Sequence, residues 1–316
     1  MNTLYAIGEM LIDFTAQEAG VLELADTFRK NAGGAPANVA VCVARLGKPA
    51  SVITKLGKDP FGNFLANTLA KENVGTQYVF RTGEANTGLA FVARDERGER
   101  SFSFYRNPSA DMLLDETEVR TIPFKEGDIL HFCSVDLCDA PVRLAHVVAI
   151  ERARSAGALV SFDPNLRYNL WESAEELLRV VREFLPLADI VKVSDEELAD
   201  ITGIDDEKMA VRSLMKGEVK LVFVTKGKGG AAAYTRDAEA WEPTDLSSPV
   251  VDTTGAGDSF IGTILWQILD RGICLTREQL SEMLKTANRA ATIVVSREGA
   301  IPAMPTREEL FSEERA

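Results

Sequence analysis

Short apolar runs typical of β-strands alternate with amphipathic helical runs along most of the chain. The strand-like runs are LYAIGEMLID, ASVITKLG, DILHFCSV, LVSFDPN, DIVKVS and VKLVFVTKG. The helical runs lie at 36–46, 62–72, 142–156, 174–185, 196–201, 259–269 and 280–296. This alternation predicts an α/β fold in which helices cover both faces of a mainly parallel sheet. Because such sheets bind ligands beyond the carboxyl ends of their strands, polar residues at those ends are candidate site residues.

Two segments do not follow the alternation. Residues 14–30 have no helical period, and residues 87–106 read as two strands joined by a charged turn at 95–99. A hairpin without a helix does not belong in a parallel core, so we predict that both segments form a small β-sheet lid on the main domain. A disordered insertion is the alternative, but the alternating patterns FVAR and SFSFY favour strands. Because the hairpin has exposed edges, we also expect a homodimer that pairs through the lid.

The overall charge restricts the possible partners. The net charge of −13 and the pI of 4.8 are not those of a protein that binds nucleic acid or an anionic membrane through a basic face. An anionic ligand must therefore be held locally, by a loop or a helix end. The amino terminus runs into YAIGEMLIDF, which is not typical of a secretory signal, and the four cysteines read as free buried thiols. We expect a cytoplasmic protein in which His131 and His146 are packing residues.

The strongest local signal is VVDTTGAGDSFIGTILWQIL, where a turn of small residues precedes an apolar helical run that begins near Ser259. Because Gly255, Ala256 and Gly257 have little or no side chain, their backbone amides can converge on an oxyanion. The helix amino terminus adds positive partial charge there. Asp258 would stand at the mouth of this site, where a carboxylate can accept a proton from an attacking hydroxyl. The alternative is a tight loop followed by an acid that the helix dipole stabilises.

The second signal is NAGGAPANVA at residues 31–40. Gly33 and Gly34 permit unusual dihedral angles, Pro36 suits the first turn of a helix, and Gly47 suits its end. Asn38 is a polar residue in an otherwise apolar helix start, so it can donate and accept hydrogen bonds toward a hydroxylated ligand. Taken alone, the pattern favours a simple helix start with a surface asparagine.

Three further strand ends carry polar or flexible residues. FDPNLR brings Asp163, Asn165 and Arg167 close together, and arginine is suited to bidentate contact with phosphate. Ser194 and Glu197 have the spacing of a capping box, although Glu197 could also hold a metal-bound water. VTKGKGG follows another strand with a glycine loop, which suits a nucleotide and a hairpin equally.

The sequence contains no Walker A string, no protein-kinase catalytic loop and no GxGxxG, which disfavours P-loop proteins and NAD-dependent oxidoreductases. The two glycine segments, GGAPANVAVCVARLG and DTTGAGDSF, resemble in this order the two signatures of the ribokinase/PfkB family of carbohydrate kinases. The resemblance runs from Ile7 to about Pro305, and GEMLIDF, YRNPSADMLL, FDPNLR and KVSDEEL are most similar to bacterial fructokinases. It implies a ribokinase-like three-layer α/β/α sandwich with a lid, as one kinase domain over residues 1–316.

The resemblance also implies roles for individual residues. Asp258 would be the base, the amides of Gly255, Ala256 and Gly257 the anion hole, and Arg167 a contact of the transferring phosphoryl group. The sugar-binding residues would be Asp13, Gly33, Gly34, Asn38, Phe91, Phe104, Arg106 and Asn165, with Phe91 and Phe104 covering the sugar. The nucleotide would be bound by Lys192, Ser194, Thr225, Gly227, Gly230 and Asn288.

Two ions follow from the same resemblance. Glu197 would hold Mg²⁺ through water, and a monovalent cation, K⁺, would lie beside the anion hole at Asp252, Thr254, Val294 and Gly299. The sequence departs from the family at two places. Ser194 stands where the family's metal motif has asparagine, and Ala303 stands where some relatives offer a serine to the monovalent ion.

We therefore expect ATP-dependent phosphorylation of the primary hydroxyl of a sugar, with D-fructose as the first candidate. Ribose, 2-keto-3-deoxygluconate and a riboside nucleoside are the alternative substrates. A sugar or nucleotide sensor without catalysis is the alternative from another class, but a sensor need not keep the base and the anion hole. ADP release across a panel of sugars discriminates among these possibilities.

Overall fold

The computed structural model describes residues 1–94, 100–245 and 249–312, so the charged turn expected at 95–99 lies outside the described residues. The strands are β1 (Leu4–Ile7), β2 (Leu11–Ala16), β3 (Phe28–Gly33), β4 (Ala50–Gly57), β5 (Val79–Thr82), β6 (Leu89–Arg94), β7 (Arg100–Tyr105), β8 (Ile129–Cys133), β9 (Leu159–Asp163), β10 (Ile190–Ser194), β11 (Leu221–Thr225), β12 (Ala231–Tyr234) and β13 (Glu239–Glu242). The helices are α1 (Ala35–Arg45), α2 (Pro60–Lys71), α3 (Glu116–Val119), α4 (Pro141–Ser155), α5 (Ala174–Phe184), α6 (Asp195–Thr202), α7 (Glu207–Leu214), α8 (Ala256–Arg271), α9 (Arg277–Val295) and α10 (Arg307–Phe311).

The main sheet has nine strands in the order β13-β12-β11-β10-β9-β8-β1-β4-β5. The strands from β11 to β5 pair in parallel, and β12 and β13 add an antiparallel hairpin at one edge. From β1 the chain first builds outward through β4 and β5 and then returns to β8 on the other side of β1. This reversal makes a crevice at the carboxyl ends of β1 and β8, which is where sheets of this kind bind ligands.

Helices cover both faces of the main sheet, as the alternation predicts. One hydrophobic cluster joins it to α1, α2, α8, α9 and α10, and a second cluster on the other face joins it to α3, α4, α5, α6 and α7. The predicted three-layer α/β/α sandwich is therefore confirmed. Within the described ranges, no helix is long and apolar enough to cross a membrane.

The predicted lid is a second sheet of four strands in the order β3-β2-β6-β7. The β2–β3 and β6–β7 pairs are antiparallel, and β2 joins β6 in parallel. One prediction here is wrong: the run LYAIGEMLID is not a single strand. The chain turns at Gly8, where φ is 143°, so that β1 lies in the main sheet and β2 in the lid. Glycine is needed at this turn because few other residues adopt a positive φ.

The predictions for histidine and cysteine hold in part. His131 and His146 are fully buried, and burial lowers the pKa of His131 to about 3 and that of His146 to about 4, so both are neutral packing residues as expected. All four cysteines are free. Cys42 and Cys133 are buried, whereas Cys274 is exposed, because it lies in the loop between α8 and α9 rather than in an apolar strand.

Candidate active site

The turn before α8 has the geometry of an anion site. Gly255 adopts a φ of 80°, and the helical ladder begins only with Ser259, whose amide donates to the Gly255 carbonyl at 2.8 Å. Among the described residues, the Ala256 amide donates to the Thr253 carbonyl at 3.3 Å, whereas the Gly257 and Asp258 amides lie in the first turn of the helix, which has no intrahelical acceptors for them. A side chain at Gly255 would come within 2.9 Å of Ala300 Cβ, so glycine is required both for the dihedral angle and for the close approach of the next loop.

Asp258 lies in this first turn and is held from the opposite side by α1. The side-chain amide of Asn38 donates to Asp258 Oδ2 at 2.8 Å, and Asn38 itself is buried. Burial raises the pKa of Asp258, while the Asn38 hydrogen bond, Lys192 and Arg167 lower it. The two signature segments, far apart in the sequence, thus meet at one carboxylate.

The lid faces this region across an open cavity of about 510 Å³. Asp13 and Asn31 line the cavity from the lid, and Asp252, Thr254 and Gly299 line it from the main domain. The cavity is therefore closed on one side by the lid sheet and on the other by the loops beside the anion site. Its position agrees with the predicted location of a ligand between the sheet and the lid.

Gly33 and Gly34 shape the junction of the lid and α1. A Cβ on Gly33 would lie 2.0 Å from Oδ2 of Asp13, so only glycine leaves room for that carboxylate. Gly34 has a φ of 113°, and a Cβ there would lie 2.4 Å from the Glu9 carbonyl oxygen. Both glycines thus hold Asp13 and the start of α1 in place through close backbone approach.

The two lid aromatics expected to cover a sugar lie on opposite faces. Phe104 stacks on Phe102, which lines the cavity, with ring centroids 5.8 Å apart. Phe91 instead stacks on Phe14 at 5.1 Å, on the face turned away from the cavity. The prediction for Phe91 is therefore wrong. In the register of the lid, Phe91 pairs with Ser103, so Phe91 and Phe104 fall on alternate sides of the pleat.

Arg106 lies at the end of the last lid strand and is engaged by the main domain. Its guanidinium forms ion pairs with Asp111 and Asp136, and all three side chains are almost fully buried. Burial raises the pKa of Asp136 well above its usual range, chiefly because the charged form loses its water. Arg106 thus ties the lid to the main domain, a contact that the sequence did not predict for it.

Glu9 is a buried acid that sequence reasoning missed. Its Oε1 accepts from the Ala35 amide at 3.0 Å, whereas its Oε2 is buried without a hydrogen-bond partner among the described residues. Burial raises the pKa of Glu9 to about 7, against the lowering influence of Arg106. The only signal in the sequence was an acid inside an apolar run, which is rare in a buried strand end.

The end of β9 provides charged groups below α8. Lys192 Nζ lies 3.0 Å from Asp163 Oδ2, and both side chains are buried. Arg167 is exposed and contributes to lowering the pKa of Asp258, while Asn165 has a positive φ of 46°. The residues of FDPNLR are thus close to the anion site, although Lys192 is turned toward Asp163.

Ser194 and Glu197 form the capping box expected at the start of α6. Ser194 Oγ accepts from the Glu197 amide at 3.0 Å, and Glu197 Oε2 accepts from the Ser194 amide at 2.8 Å. Glu197 Oε1 also accepts from the Leu166 amide at 2.8 Å. The carboxylate therefore joins α6 to the loop that carries Arg167, and its remaining lone pairs are available to a water.

The loop after β11 is a hairpin to β12, one of the two readings of VTKGKGG. Gly227 has a φ of 50° and open space around it, whereas a Cβ on Gly230 would lie 2.1 Å from the Glu242 carbonyl oxygen. Thr225 is the last residue of β11. Asn288 donates to the carbonyls of Glu242 and Pro243 at 3.0 and 3.1 Å, so it anchors the segment that borders this loop.

Asp252 organises the loops beside the anion site. Its Oδ1 accepts from the Thr254 amide at 2.9 Å, and its Oδ2 accepts from the Gly299 amide at 3.1 Å. The carbonyl of Val294, at the end of α9, accepts from the Arg297 amide at 3.1 Å. The residues suggested for a monovalent cation therefore lie on two loops that Asp252 ties together and on the last turn of α9, and Ala303 is buried in the core without a side-chain oxygen.

A three-layer α/β/α fold that has a lid, a helix amino terminus and a buried acid beside one another suits a kinase of small hydroxylated molecules. The pfkB family carbohydrate kinase model matches residues 1–307. The chain therefore belongs to the pfkB family of carbohydrate kinases, with the ribokinase-like fold.

Similar proteins agree with this membership. The chain is 46% identical over 312 residues to the probable fructokinase-2 of Arabidopsis thaliana, covering 97% of this chain and 94% of the relative. Among solved structures, a fructokinase with bound ATP from Xylella fastidiosa superposes with a TM-score of 0.88 at 37% identity, covering 98% of this chain and 96% of that one. A fructokinase from Vibrio cholerae O395 bound to fructose, ADP and calcium gives 0.89 at 33% identity and covers 98% of both chains.

Proposed function

We propose that this chain transfers the γ-phosphoryl group of ATP to the primary hydroxyl of D-fructose, which yields fructose 6-phosphate and ADP. The observation that carries the proposal is the position of Asp258, held by Asn38 in the first turn of α8. This arrangement combines a carboxylate base with helix amides that bind a phosphoryl group. The fructose and ADP bound to the Vibrio cholerae relative and the ATP bound to the Xylella fastidiosa relative support the choice of substrates.

The proposed reaction needs one proton acceptor. As the sugar oxygen forms a bond to the γ-phosphorus, its proton passes to a carboxylate oxygen of Asp258. The bond between the γ-phosphorus and the β,γ-bridging oxygen breaks, and its electron pair leaves with ADP. Asn38 keeps Oδ2 of Asp258 in place by its 2.8 Å hydrogen bond, so the carboxylate is oriented before the sugar binds.

Negative charge on the transferring group is stabilised by fixed dipoles and by one mobile cation. The amides of Gly255, Ala256 and Gly257 lie at the amino terminus of α8, and that of Ala256 would exchange its 3.3 Å hydrogen bond to the Thr253 carbonyl for one to a phosphoryl oxygen. Arg167 is exposed beside them and is free to follow the phosphoryl group. On the sugar side, Asp13 and Phe104 on the inner face of the lid would bind the hydroxyls and exclude water, which could otherwise accept the phosphoryl group.

The residues present fit the two ions that the family implies. The described residues contain no cluster of three acidic, histidine or cysteine ligands, so Mg²⁺ would be held mainly by phosphates and water, with Glu197 binding one such water. Mg²⁺ supplies neutralisation of the phosphate charge when it is bound. Oxygen atoms of Asp252, Thr254, Val294 and Gly299 would hold K⁺ beside the anion hole.

We also propose that the chain works as one kinase domain and that two copies pair through their lids. On the outer lid face the ring of Phe91 contacts those of Phe14, Phe28 and Tyr105, and Tyr105 is 63% exposed. The edges β3 and β7 are open to pairing with a second copy. The use of ATP and the four free cysteines favour the cytoplasm. Monomeric behaviour in light scattering at working concentrations contradicts the dimer.

A coupled assay of ADP release across fructose, ribose, 2-keto-3-deoxygluconate and riboside nucleosides tests the function. We expect fructose to give the highest kcat/KM. A higher value for another acceptor contradicts fructose but retains the kinase. ATP and sugar binding without turnover with any acceptor supports the sensor alternative instead.

A further inference from the structure

A buried ion pair lies directly beneath the anion-binding turn. Lys192 Nζ is 3.0 Å from Asp163 Oδ2, and the two side chains are 8% and 2% exposed. The same ammonium would lie 3.2 Å from a Cβ at Gly257, in the middle of the turn. Lys192 therefore approaches Gly257 in the first turn of α8 from below, on the face of the sheet that α8 covers.

Burying the Lys192–Asp163 ion pair at the ends of two central strands costs desolvation free energy. The alternation in β10 directs Val191 and Val193 into one hydrophobic cluster, and Lys192 points to the opposite side, toward α8. Removing two charges from water costs more than their attraction returns in many proteins, and an apolar pair of the same size is often as stable. A structural role alone is therefore a weak reason for a lysine at this position.

Several charged and titratable groups surround the ammonium and Asp258. The acids facing them are Asp163 on β9 and Glu197 on α6, the second cation is Arg167, and the neutral titratable groups are His131 and Cys133 on β8 and Cys42 on α1. Lys192 lowers the pKa of Asp258, after the effect of the Asn38 hydrogen bond. Burial, and to a smaller extent Lys192, lower the pKa of His131, so that ring is neutral and Lys192 is the buried cation of the group.

We infer that Lys192 is a positioning residue for phosphoryl transfer. Asp163 fixes its ammonium beneath Gly257, where the positive charge strengthens the amides as an anion hole and keeps Asp258 ionised as a base. Lysine has three donors, and its ammonium lies 3.3 and 3.0 Å from the two carboxylate oxygens of Asp163, so at least one N–H is left for another acceptor. The inference rests on the proposed role of Asp258 and goes beyond the expectation that Lys192 simply binds ATP.

The lack of a side chain at Gly257 is what permits this arrangement. Because a Cβ at Gly257 would lie 3.2 Å from Nζ, the absence of a side chain lets the ammonium approach the turn. A substitution there would push the two apart by a few tenths of an ångström. The geometry therefore couples a residue of the anion hole to a charge in the sheet below it.

The decisive variants are Lys192→Met and the double variant Lys192→Met/Asp163→Asn. Burial already raises the pKa of Asp163 to about 6, so without Lys192 this acid can take up a proton and the single variant should fold. The double variant removes both charges and restores a neutral pair. Lys220→Met is the matched control, because Lys220 pairs with Asp189 at 2.7 Å at the opposite, amino-terminal end of the neighbouring strands.

The measurements are kcat, both KM values and the pH profile of kcat, with wild-type turnover measured first. We expect Lys192→Met to lower kcat at least ~10-fold with little change in either KM, and to move the acidic limb to higher pH. The double variant should recover thermal stability but neither kcat nor the limb. Lys220→Met should match the wild type.

Two results overturn the inference and one affects only the proposed function. If the double variant regains wild-type kcat and pH profile, the pair is structural. If Lys192→Met raises the KM for ATP alone, Lys192 binds ATP and does not position the turn. If the wild type turns over no sugar, the proposed function fails before Lys192 is tested. Should the single variant not fold, the double variant alone decides.

Discussion

The side-chain amide of Asn38 donates a 2.8 Å hydrogen bond to Oδ2 of Asp258, which joins the first turns of α1 and α8 across 220 residues of sequence. Taken alone, Asn38 is a polar residue at a helix start, and Asp258 is an acid that a helix dipole favours. Together they fix a carboxylate at the amino terminus of a helix, beside the amides of Gly255–Asp258. The contact therefore turns two local motifs into one site.

Asp258→Asn removes the proposed base without changing the shape of the side chain. We expect kcat to fall by at least ~10² while both KM values stay within a few-fold, because the lost interaction acts only during proton transfer. Steady-state kinetics measure this. Asp270→Asn, at the exposed far end of the same helix, is the control and should retain activity. Near-normal turnover of Asp258→Asn removes this residue as the base.

Asn38→Ala tests how the base is kept ionised. The Asn38 hydrogen bond lowers the pKa of Asp258, against the larger raising effect of burial. Without it the pKa rises further, so Asp258 becomes ionised only at higher pH. We expect the acidic limb of the kcat profile to move to higher pH, which rate measurements across a pH series detect. An unchanged limb means that the hydrogen bond orients Asp258 without affecting its ionisation.

Gly33→Ala tests the junction between the lid and the cavity. An alanine Cβ would lie 2.0 Å from Asp13 Oδ2, so the carboxylate must move. We expect the KM for the sugar to rise about tenfold or more, which is the loss of about one charge-assisted hydrogen bond. Gly83→Ala is the control, because its Cβ would meet only Lys58 Cδ at 4.0 Å. Equal sugar KM values for both variants contradict a role for Asp13 in sugar binding.

Glu9→Gln should change how stability depends on pH. Burial raises the pKa of Glu9 to about 7 from an ordinary value of 4.5. The folded state therefore binds the proton more tightly than the unfolded state, so the stability that protonation supplies is present below pH 4.5 and is lost as the pH rises through 7. Glutamine stays neutral, and the variant should be more stable than the wild type at pH 8, by up to about 3 kcal/mol. Parallel urea-unfolding curves of both proteins at pH 5 and pH 8 measure this, and an equal difference at the two pH values contradicts it.

Arg106→Met should destabilise the fold strongly. It leaves the buried carboxylates of Asp111 and Asp136 without their cation. Removing one partner of a buried ion pair lowers the free energy of unfolding by about 3–5 kcal/mol, which is measurable as a lower urea midpoint. Arg120→Met is the control, because Arg120 pairs with Glu116 on the surface, where the expected loss is below about 1 kcal/mol. A loss for Arg106→Met as small as that of the control means that the buried acids become protonated at little cost.

Much of the fold could be predicted from local pattern. Helices α1 and α4 begin and end within one residue of the predicted bounds, because a helix period and end signals such as Pro36 and Gly47 act within a few residues. The error at LYAIGEMLID has a physical reason too. An apolar run does not reveal that Gly8 turns the chain from one sheet into another.

For the site, too, residues identified by a local motif were predicted, and residues placed by tertiary structure were not. The motifs at 31–40 and 252–258 identified Asp258, Asn38 and the small residues around them, because a glycine-rich turn before a helix has a local physical meaning. Phe91 was misplaced because its side of the lid depends on the register between strands, and a shift of one residue exchanges the faces. The alternation SFSF does place Phe102 and Phe104 on one face of the lid, because they are two residues apart, and Phe102 lines the cavity.

By itself, the sequence determined the α/β class, the existence of the lid, and the two glycine-rich turns, because each depends on periodicity or dihedral freedom within a short segment. Only the tertiary structure decided which charges meet. Asn38 reaches Asp258, Lys192 pairs with Asp163 under Gly257, and Arg106 is held by Asp111 and Asp136. These contacts join segments on different strands and helices, and their energies depend on burial and distance, which no local pattern contains.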